Sequence, residues 1–281
     1  AGLSSSSFDV HALPKAVGGG GEGGGGTGGG SEGGGGESGS GASPVSVAIE
    51  TDNCPIFTYR IVRNVRNGES PDWLKRKLEA VGQKPISALV DITNWMTLDQ
   101  NRPMHVFDAD KIAGGTLTVR AARDGESLRA LNDKEYSFDE AMTVIADADK
   151  VVSLGGIIGG EDTGCSEDTV NVLVEAALWN PSNIARTGRK LGIHTDARFR
   201  FERGTDSASA VEGLEIATQY ILDFCGGEPG DVHVTGDEAA WQEPTSRMYS
   251  RRPVRHQQSL PERTCHCGAG QRASGEIHSL A

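Results

Sequence analysis

Several groups of residues carry types and spacings suited to chemistry. The stretch Leu191–Asp206, LGIHTDARFRFERGTD, interleaves Arg198, Arg200 and Arg203 with Phe199 and Phe201, and offers Asp196, Glu202 and Asp206 as ion-pair partners. A surface loop needs no such phenylalanines, and a core holds arginines only beside acids. Thr195 and Ala197 are small and flank Asp196, so a ligand could come close to the backbone there. On this stretch alone, a helix end tied down by salt bridges accounts for the pattern. Glu175 stands inside the apolar run VNVLVEAAL, Val170–Leu178. A carboxylate in a central strand is costly unless it is paired or at work. It could face a basic partner at a strand edge. The small Ala176 and Ala177 behind it tip the reading toward function.

His105 follows Pro103 and lies between Met104 and Phe107. A histidine in such company is either a hydrogen-bonded core residue or a catalyst. Asp108 and Asp110 follow it too closely for a metal motif of known spacing. Asp91 and Asn94 are embedded in an apolar run and need specific partners. Gly155-Gly156-Ile157-Ile158-Gly159-Gly160 fits neither standard phosphate-loop spacing, and no Lys-Ser/Thr pair follows it. Its glycines allow close backbone approach, to a ligand or to a neighbouring strand. No nucleophile elbow or Ser-His-Asp order appears, which argues against a covalent acyl-enzyme.

The elements that must position these residues read as α+β: a mixed, mainly antiparallel sheet flanked by helices, with the site between sheet and helices. Alternation predicts strands at 45–49 and 57–62, then at 116–122, 126–131, 134–138, 142–146 and 151–154, with Asn132-Asp133 as a two-residue turn. Ser70 reads as a helix cap with Pro71 at the first helical position, and Trp73, Leu74, Leu78 and Val81 as the apolar stripe. A second helix is expected from Ile86 to about Thr97. Asn180-Pro181 starts another, with Ile184 inward. Ser207–Cys225 forms a long one, with Val211, Leu214, Ala217, Ile221 and Phe224 on one face and Gly226-Gly227 at its end. Val232–Val234 could add an edge strand.

The chain has 281 residues and a net charge of -12. Three regions are expected: a Gly/Ser-rich flexible tether at 1–43, a folded domain at 44–236, and a basic, disordered tail at 237–281. So acidic a chain is not steered to nucleic acid by its overall field, and RNA contact would need a local patch such as Arg186, Arg189, Lys190, Arg198, Arg200 and Arg203. Ion pairing within a solvated face explains that patch equally well. The 5 cysteines show no paired framework, which points to a reducing compartment. Cys265-His266-Cys267 lacks a second ligand pair for zinc. No apolar run is long enough for a bilayer. A soluble, cytoplasmic protein without a membrane partner is expected.

The stretches SPDWLKRKLEAVGQKPISALVDITNW, RPMHVFDADKI, GGIIGGEDTG, VLVEAALWNP and HTDARFRFERGTD occur in the order and at about the spacing of a known family. Residues 54–235 resemble the editing module in the beta subunit of bacterial phenylalanyl-tRNA synthetase. The resemblance implies a second site that hydrolyses tyrosine wrongly attached to tRNA(Phe). A pocket shaped for phenylalanine rejects an added hydroxyl only about a hundredfold, whereas a site built to bind that hydroxyl rejects its absence far better. It implies that Glu175 contacts the tyrosine hydroxyl and Gly156 lies near the same ring. Thr93 and Asn94 would lie near the substrate backbone, His105 near the scissile ester, and Thr195 and Ala197 at the pocket, with Thr195 joining His105 and Asn94 as catalytic residues and Ala197 setting the pocket's size. Lys84 stands where the family usually has arginine, at a substrate-binding position. Arg198 replaces a small serine, which raises the question of pocket access.

The mechanism so implied is positioned water, with His105 orienting it, backbone amides and Asn94 steadying the carbonyl, and the terminal ribose hydroxyl assisting. The resemblance further implies the alpha subunit and tRNA(Phe) as partners. It implies no metal and no cofactor for this fragment, the ATP and Mg of the parent enzyme belonging to other domains, so that the fragment could not charge tRNA alone. Two other functions remain: a non-catalytic module of the same fold that places tRNA or holds the subunit together, and a free-standing deacylase for other mischarged esters.

Overall fold

The structure is a computed structural model and describes residues 45–237. The expected glycine-rich arm, the Cys265-His266-Cys267 triplet and all but the first residue of the expected basic tail lie outside the described residues. The elements run β1 (Ser46–Ile49), β2 (Ile56–Arg63), α1 (Asp72–Ala80), α2 (Ala88–Asp99), β3 (His105–Asp108), β4 (Thr116–Ala121), β5 (Ser127–Arg129) and β6 (Glu135–Ser137). They continue with β7 (Thr143–Ala146), β8 (Val151–Leu154), β9 (Ile158–Gly159), β10 (Val172–Leu178), α3 (Pro181–Leu191), α4 (Asp196–Phe201), α5 (Ser209–Cys225), β11 (Glu228–Pro229) and β12 (His233–Gly236).

The architecture is α+β and mainly antiparallel, but the strands do not make a single sheet. One five-stranded sheet has the order β1-β4-β7-β8-β9; a second has β11-β2-β10-β3, with β12 also on β2; β5 and β6 form a separate hairpin. Only β1 and β4 pair in parallel among the described strands. The sheets divide because β10 does not extend the neighbouring meander. It pairs with β2, Glu175 opposite Tyr59, and with β3, Glu175 opposite His105. Local periodicity carries no information about that choice of partner.

β10 is the central strand, and all its residues are buried. Leu173 and Ala177 join a core with Phe57, Phe107 and Trp179 and with Leu117, Val144 and Val152 of the first sheet. Val172, Val174 and Ala176 join a second core with Leu89 and Ile92 of α2 and Leu214, Ala217 and Ile221 of α5. The order of layers is therefore sheet, core, sheet, core, helices.

Several boundaries follow the sequence. Asn180 caps α3 by accepting from the amides of Ser182 at 3.0 Å and Asn183 at 3.3 Å, and Gly192 ends it with φ 65. β12 is the expected edge strand. Others differ. Ser70 does not cap α1; its hydroxyl donates to Asp91 at 2.6 Å, and Pro71 takes the cap position. Val81 is exposed, outside the buried stripe of Leu74 and Leu78. The second helix starts at Ala88 because the Ile86 amide turns to Asp91 at 2.9 Å, so Asp91 has the specific partners its burial demands. The β5–β6 connection is longer than a two-residue turn. The Asp133 amide bonds to Ala130 and the Ala130 amide to Lys134, with Asp133 left-handed at φ 60. On α5, Leu214, Ala217 and Ile221 are buried, whereas Phe224 sits at the rim against Trp73 and Tyr220. No described helix is long and apolar enough to cross a membrane.

Candidate functional site

At β3, the edge strand of the second sheet, lies a cavity of ≈ 230 Å³. Thr93 and Asn94 of α2, His105 of β3, Gly156 between β8 and β9, Glu175 of β10, and Ala197 and Phe201 of α4 share its wall. Strand alternation aims Glu175 to the same face as Leu173 and Ala177, away from the α2–α5 core. The residue is 5% exposed, and among the described residues its carboxyl has no hydrogen-bond partner. Burial pushes the carboxyl up to about 8, against the opposing pull of Arg102. At neutral pH it therefore holds its proton and can donate or accept one hydrogen bond.

His105 is adjacent to Glu175 in register. Its ring stands edge-on to Phe107, centroids 4.3 Å apart. The other side rests on Gly159, where an added Cβ would come 2.8 Å from Nε2. Nε2 is sealed and unpartnered. Burial pulls the imidazole down to about 4, so it is neutral. Gly156 has φ 66, and a Cβ there would come 2.7 Å from Trp179. The glycine run thus does meet close neighbours: the rings of Trp179 and His105 at Gly155, Gly156 and Gly159, and Leu128 with the Val152 backbone at Gly160.

The model of the B3/4 domain matches residues 53–226. The chain belongs to the B3/4 domain family. It is 56% identical over 198 residues to the phenylalanine–tRNA ligase beta subunit of Rhodopseudomonas palustris, covering 70% of this chain and 24% of that protein. The beta subunit of Bradyrhizobium diazoefficiens is 57% identical over 194 residues, with 69% and 24% covered. That of Rhodospirillum rubrum is 51% identical over 218 residues, with 76% and 27% covered. The chain spans 24% to 27% of the length of these relatives. Among solved structures, an N-terminal fragment of the phenylalanyl-tRNA synthetase beta subunit from Pyrococcus horikoshii aligns with a TM-score of 0.42 and 16% identity, over 70% of this chain and 55% of that one.

Within this B3/4 domain the sequence-predicted residues divide. Glu175, His105, Gly156, Thr93, Asn94 and Ala197 come together on one wall. Thr93 spends its hydroxyl on the Val90 carbonyl at 2.8 Å, and the Asn94 amide has no side-chain partner among the described residues. Thr195 is not on that wall. Its hydroxyl accepts from the Arg198 amide at 3.1 Å and donates to the Ile157 carbonyl at 2.8 Å, which caps α4 and ties it to the β8–β9 turn. Lys84 is exposed between α1 and α2 and also lies off the wall; its neighbour Gln83 reaches Asp196 at 3.0 Å.

Arg198 does not obstruct the cavity. It packs against Gly188 of α3, pairs with Glu202 at 3.2 Å and donates to the Ile193 carbonyl. Of the basic patch, Arg200, Arg203 and Lys190 are also paired, with Asp196, Glu202 and Asp139, while Arg186 and Arg189 are exposed. Asp108 turns to the opposite face of β3 from His105, where Thr169 at 2.7 Å and Lys111 at 3.3 Å hold it. Sequence reasoning missed Phe201, Cys165 and Leu131, which line the cavity, and Arg102 behind it. Phe201 was visible as an apolar residue one helical turn from Ala197; Arg102 had no signal beyond a charge before proline.

Proposed function

We propose that the cavity is an editing site that hydrolyses the ester of tyrosine mischarged onto tRNA(Phe). The observation that carries this reading is the protonated, unpartnered Glu175 carboxyl opening onto a cavity walled by apolar and small residues together with the polar Asn94 and His105. A phenol reaching Glu175 completes its hydrogen bonding. A phenylalanine ring leaves that group buried and unpaired, at a cost of about 1–3 kcal/mol. The ring would pass Ala197, Gly156 and Phe201, leaving the ester beside His105 and Asn94. There a water attacks without a covalent intermediate. His105 is neutral and able to accept a hydrogen bond from it, once the ring turns to free Nε2 from Gly159. Asn94, with its amide free, steadies the carbonyl. The names of the beta-subunit relatives support tRNA(Phe) and an alpha subunit as partners of the longer protein, while the choice of the tyrosyl ester rests on Glu175.

The test is deacylation of Tyr-tRNA(Phe) and Phe-tRNA(Phe) by the wild type and Glu175→Ala. The wild type should prefer the tyrosyl ester, and the variant should lose that preference. Equal wild-type rates on the two esters, or a preference that survives in Glu175→Ala, would sink the reading.

A further inference from the structure

Arg102 has the largest fully buried side chain among the described residues, with 0% exposure. It comes just before Pro103, where β3 has not yet begun. β3 covers β10 only from Val172 to Glu175, so the backbone of Ala177 lies beyond its reach. The Arg102 guanidinium takes that place and donates from Nη2 to the Ala177 carbonyl. Its stem lies on Gly213 of α5, where an added Cβ would come 2.9 Å from Cγ, and its Cζ lies 5.9 Å from the Phe201 ring centroid. Nε and Nη1 are sealed and have no hydrogen-bond partner. No carboxylate of a described residue is within ion-pair distance of it. A charge buried at such cost, with donors left over, is not explained by packing.

We propose that Arg102 is a positioning residue: a fixed positive charge behind the cavity that governs how readily Glu175 ionises and so how it meets a ligand. Ala177 and Glu175 are two residues apart on β10, about 7 Å along the strand, so the guanidinium that holds the Ala177 carbonyl lies within electrostatic reach of the carboxyl. Burial lowers Arg102 to about 10, so it stays charged at neutral pH, and Glu175 is the acid that acts on it most, ahead of Asp206. The other titratable groups around Glu175 supply no positive charge. Cys54 is held neutral by burial, His105 is neutral, and Tyr59 donates its hydroxyl to the Val45 carbonyl at 3.3 Å. Arg102 is thus the cation that opposes the effect of burial on Glu175. Its consequence for tyrosine selectivity rests on the editing reading above, but the electrostatic coupling does not.

The experiment is a carbon-13 NMR titration of the Glu175 carboxyl in the full chain, in wild type, Arg102→Met and Arg102→Lys. Loss of the charge should raise the Glu175 midpoint by about one unit or more, and lysine should restore most of it. If Arg102→Met does not fold, Arg102→Gln serves, since it keeps a donor for Ala177 while removing the charge. A midpoint unchanged in the folded neutral variant overturns the proposal. In deacylation, the pH at which tyrosyl preference fades should rise with the Glu175 midpoint. A wild type with no tyrosyl preference would defeat the editing reading and leave the titration result standing.

Discussion

The two faces of β10 are built from one strand to opposite specifications. Toward α2 and α5 it presents Val172, Val174 and Ala176, with Thr58 donating to the Ala176 carbonyl at 2.6 Å, Thr218 to Leu214 at 2.7 Å, and Asp91 holding Ser70 and Ile86; Arg60 Nε, opposite Val174, and Trp95 Nε1 of α2 are sealed there without a partner. Toward the cavity it presents Glu175, beside His105 with a sealed, unpartnered nitrogen; Arg102, with two, holds the Ala177 carbonyl further along the strand. On the helix face the carboxylate and hydroxyls are spent on structural bonds. The other keeps hydrogen-bonding capacity in reserve, at a cost in folding energy that a ligand can recover. Such local violations of the rules of burial are where function is to be sought.

The comparison can be broken most sharply on the helix face. Leu214→Ala removes a fully buried side chain and should cost about 3 kcal/mol in denaturant unfolding, while any residual folded protein keeps its tyrosyl preference. If selectivity fell with stability, the two faces would not be independent. On the cavity face, Ala197→Trp fills the space beside Phe201 and should cut Tyr-tRNA(Phe) hydrolysis by about a hundredfold. Ala197 is only half-buried, so the melting temperature should change little.

The dependence of stability on pH separates the faces next. Glu175 binds its proton more tightly folded, at about 8 against 4.5, so its contribution declines as pH rises across that window. His105 binds its proton less tightly folded, at about 4 against 6.5, so its contribution grows with pH across that window. The two slopes oppose one another up to about pH 6.5, and above it Glu175 acts alone. Unfolding free energy should therefore be nearly level from pH 4.5 to 6.5 as far as these groups decide it, then fall by about 2 kcal/mol by pH 8. Glu175→Gln should abolish the fall; a fall that persists would place its origin elsewhere. The smallest effect is at Thr195. Its hydroxyl works as a cap and a tether, so Thr195→Ala should lose about 1 kcal/mol of stability. A loss of hydrolysis far beyond that would give Thr195 the catalytic place that the family resemblance implies.

Much of this was legible beforehand, for identifiable reasons. α3 was readable because Asn180, Pro181 and Gly192 act within a few residues of their own backbone. β10 was readable because a strand buried on both faces is an unbroken apolar run, and Glu175 stood out against it. The clustering of Glu175, His105, Gly156, Thr93, Asn94 and Ala197 came from the resemblance, since no periodicity links residues so far apart in the chain. The division into two sheets, the Ser70–Asp91 bond and the turning of Arg198 toward α3 were not legible, because each depends on a partner brought near only by the fold.

The sequence by itself determined where the longer helices and strands form, though not the short β3, and which carboxylate would be expensive to bury, since propensity, capping and hydropathy act over a few residues. Only the tertiary structure decided what that carboxylate faces. The pairing of β10 with β2 and β3 puts His105 beside Glu175. The short reach of β3 leaves the Ala177 carbonyl to Arg102. Electrostatic coupling between buried groups depends on distance through space, and distance through space is what a linear sequence does not contain.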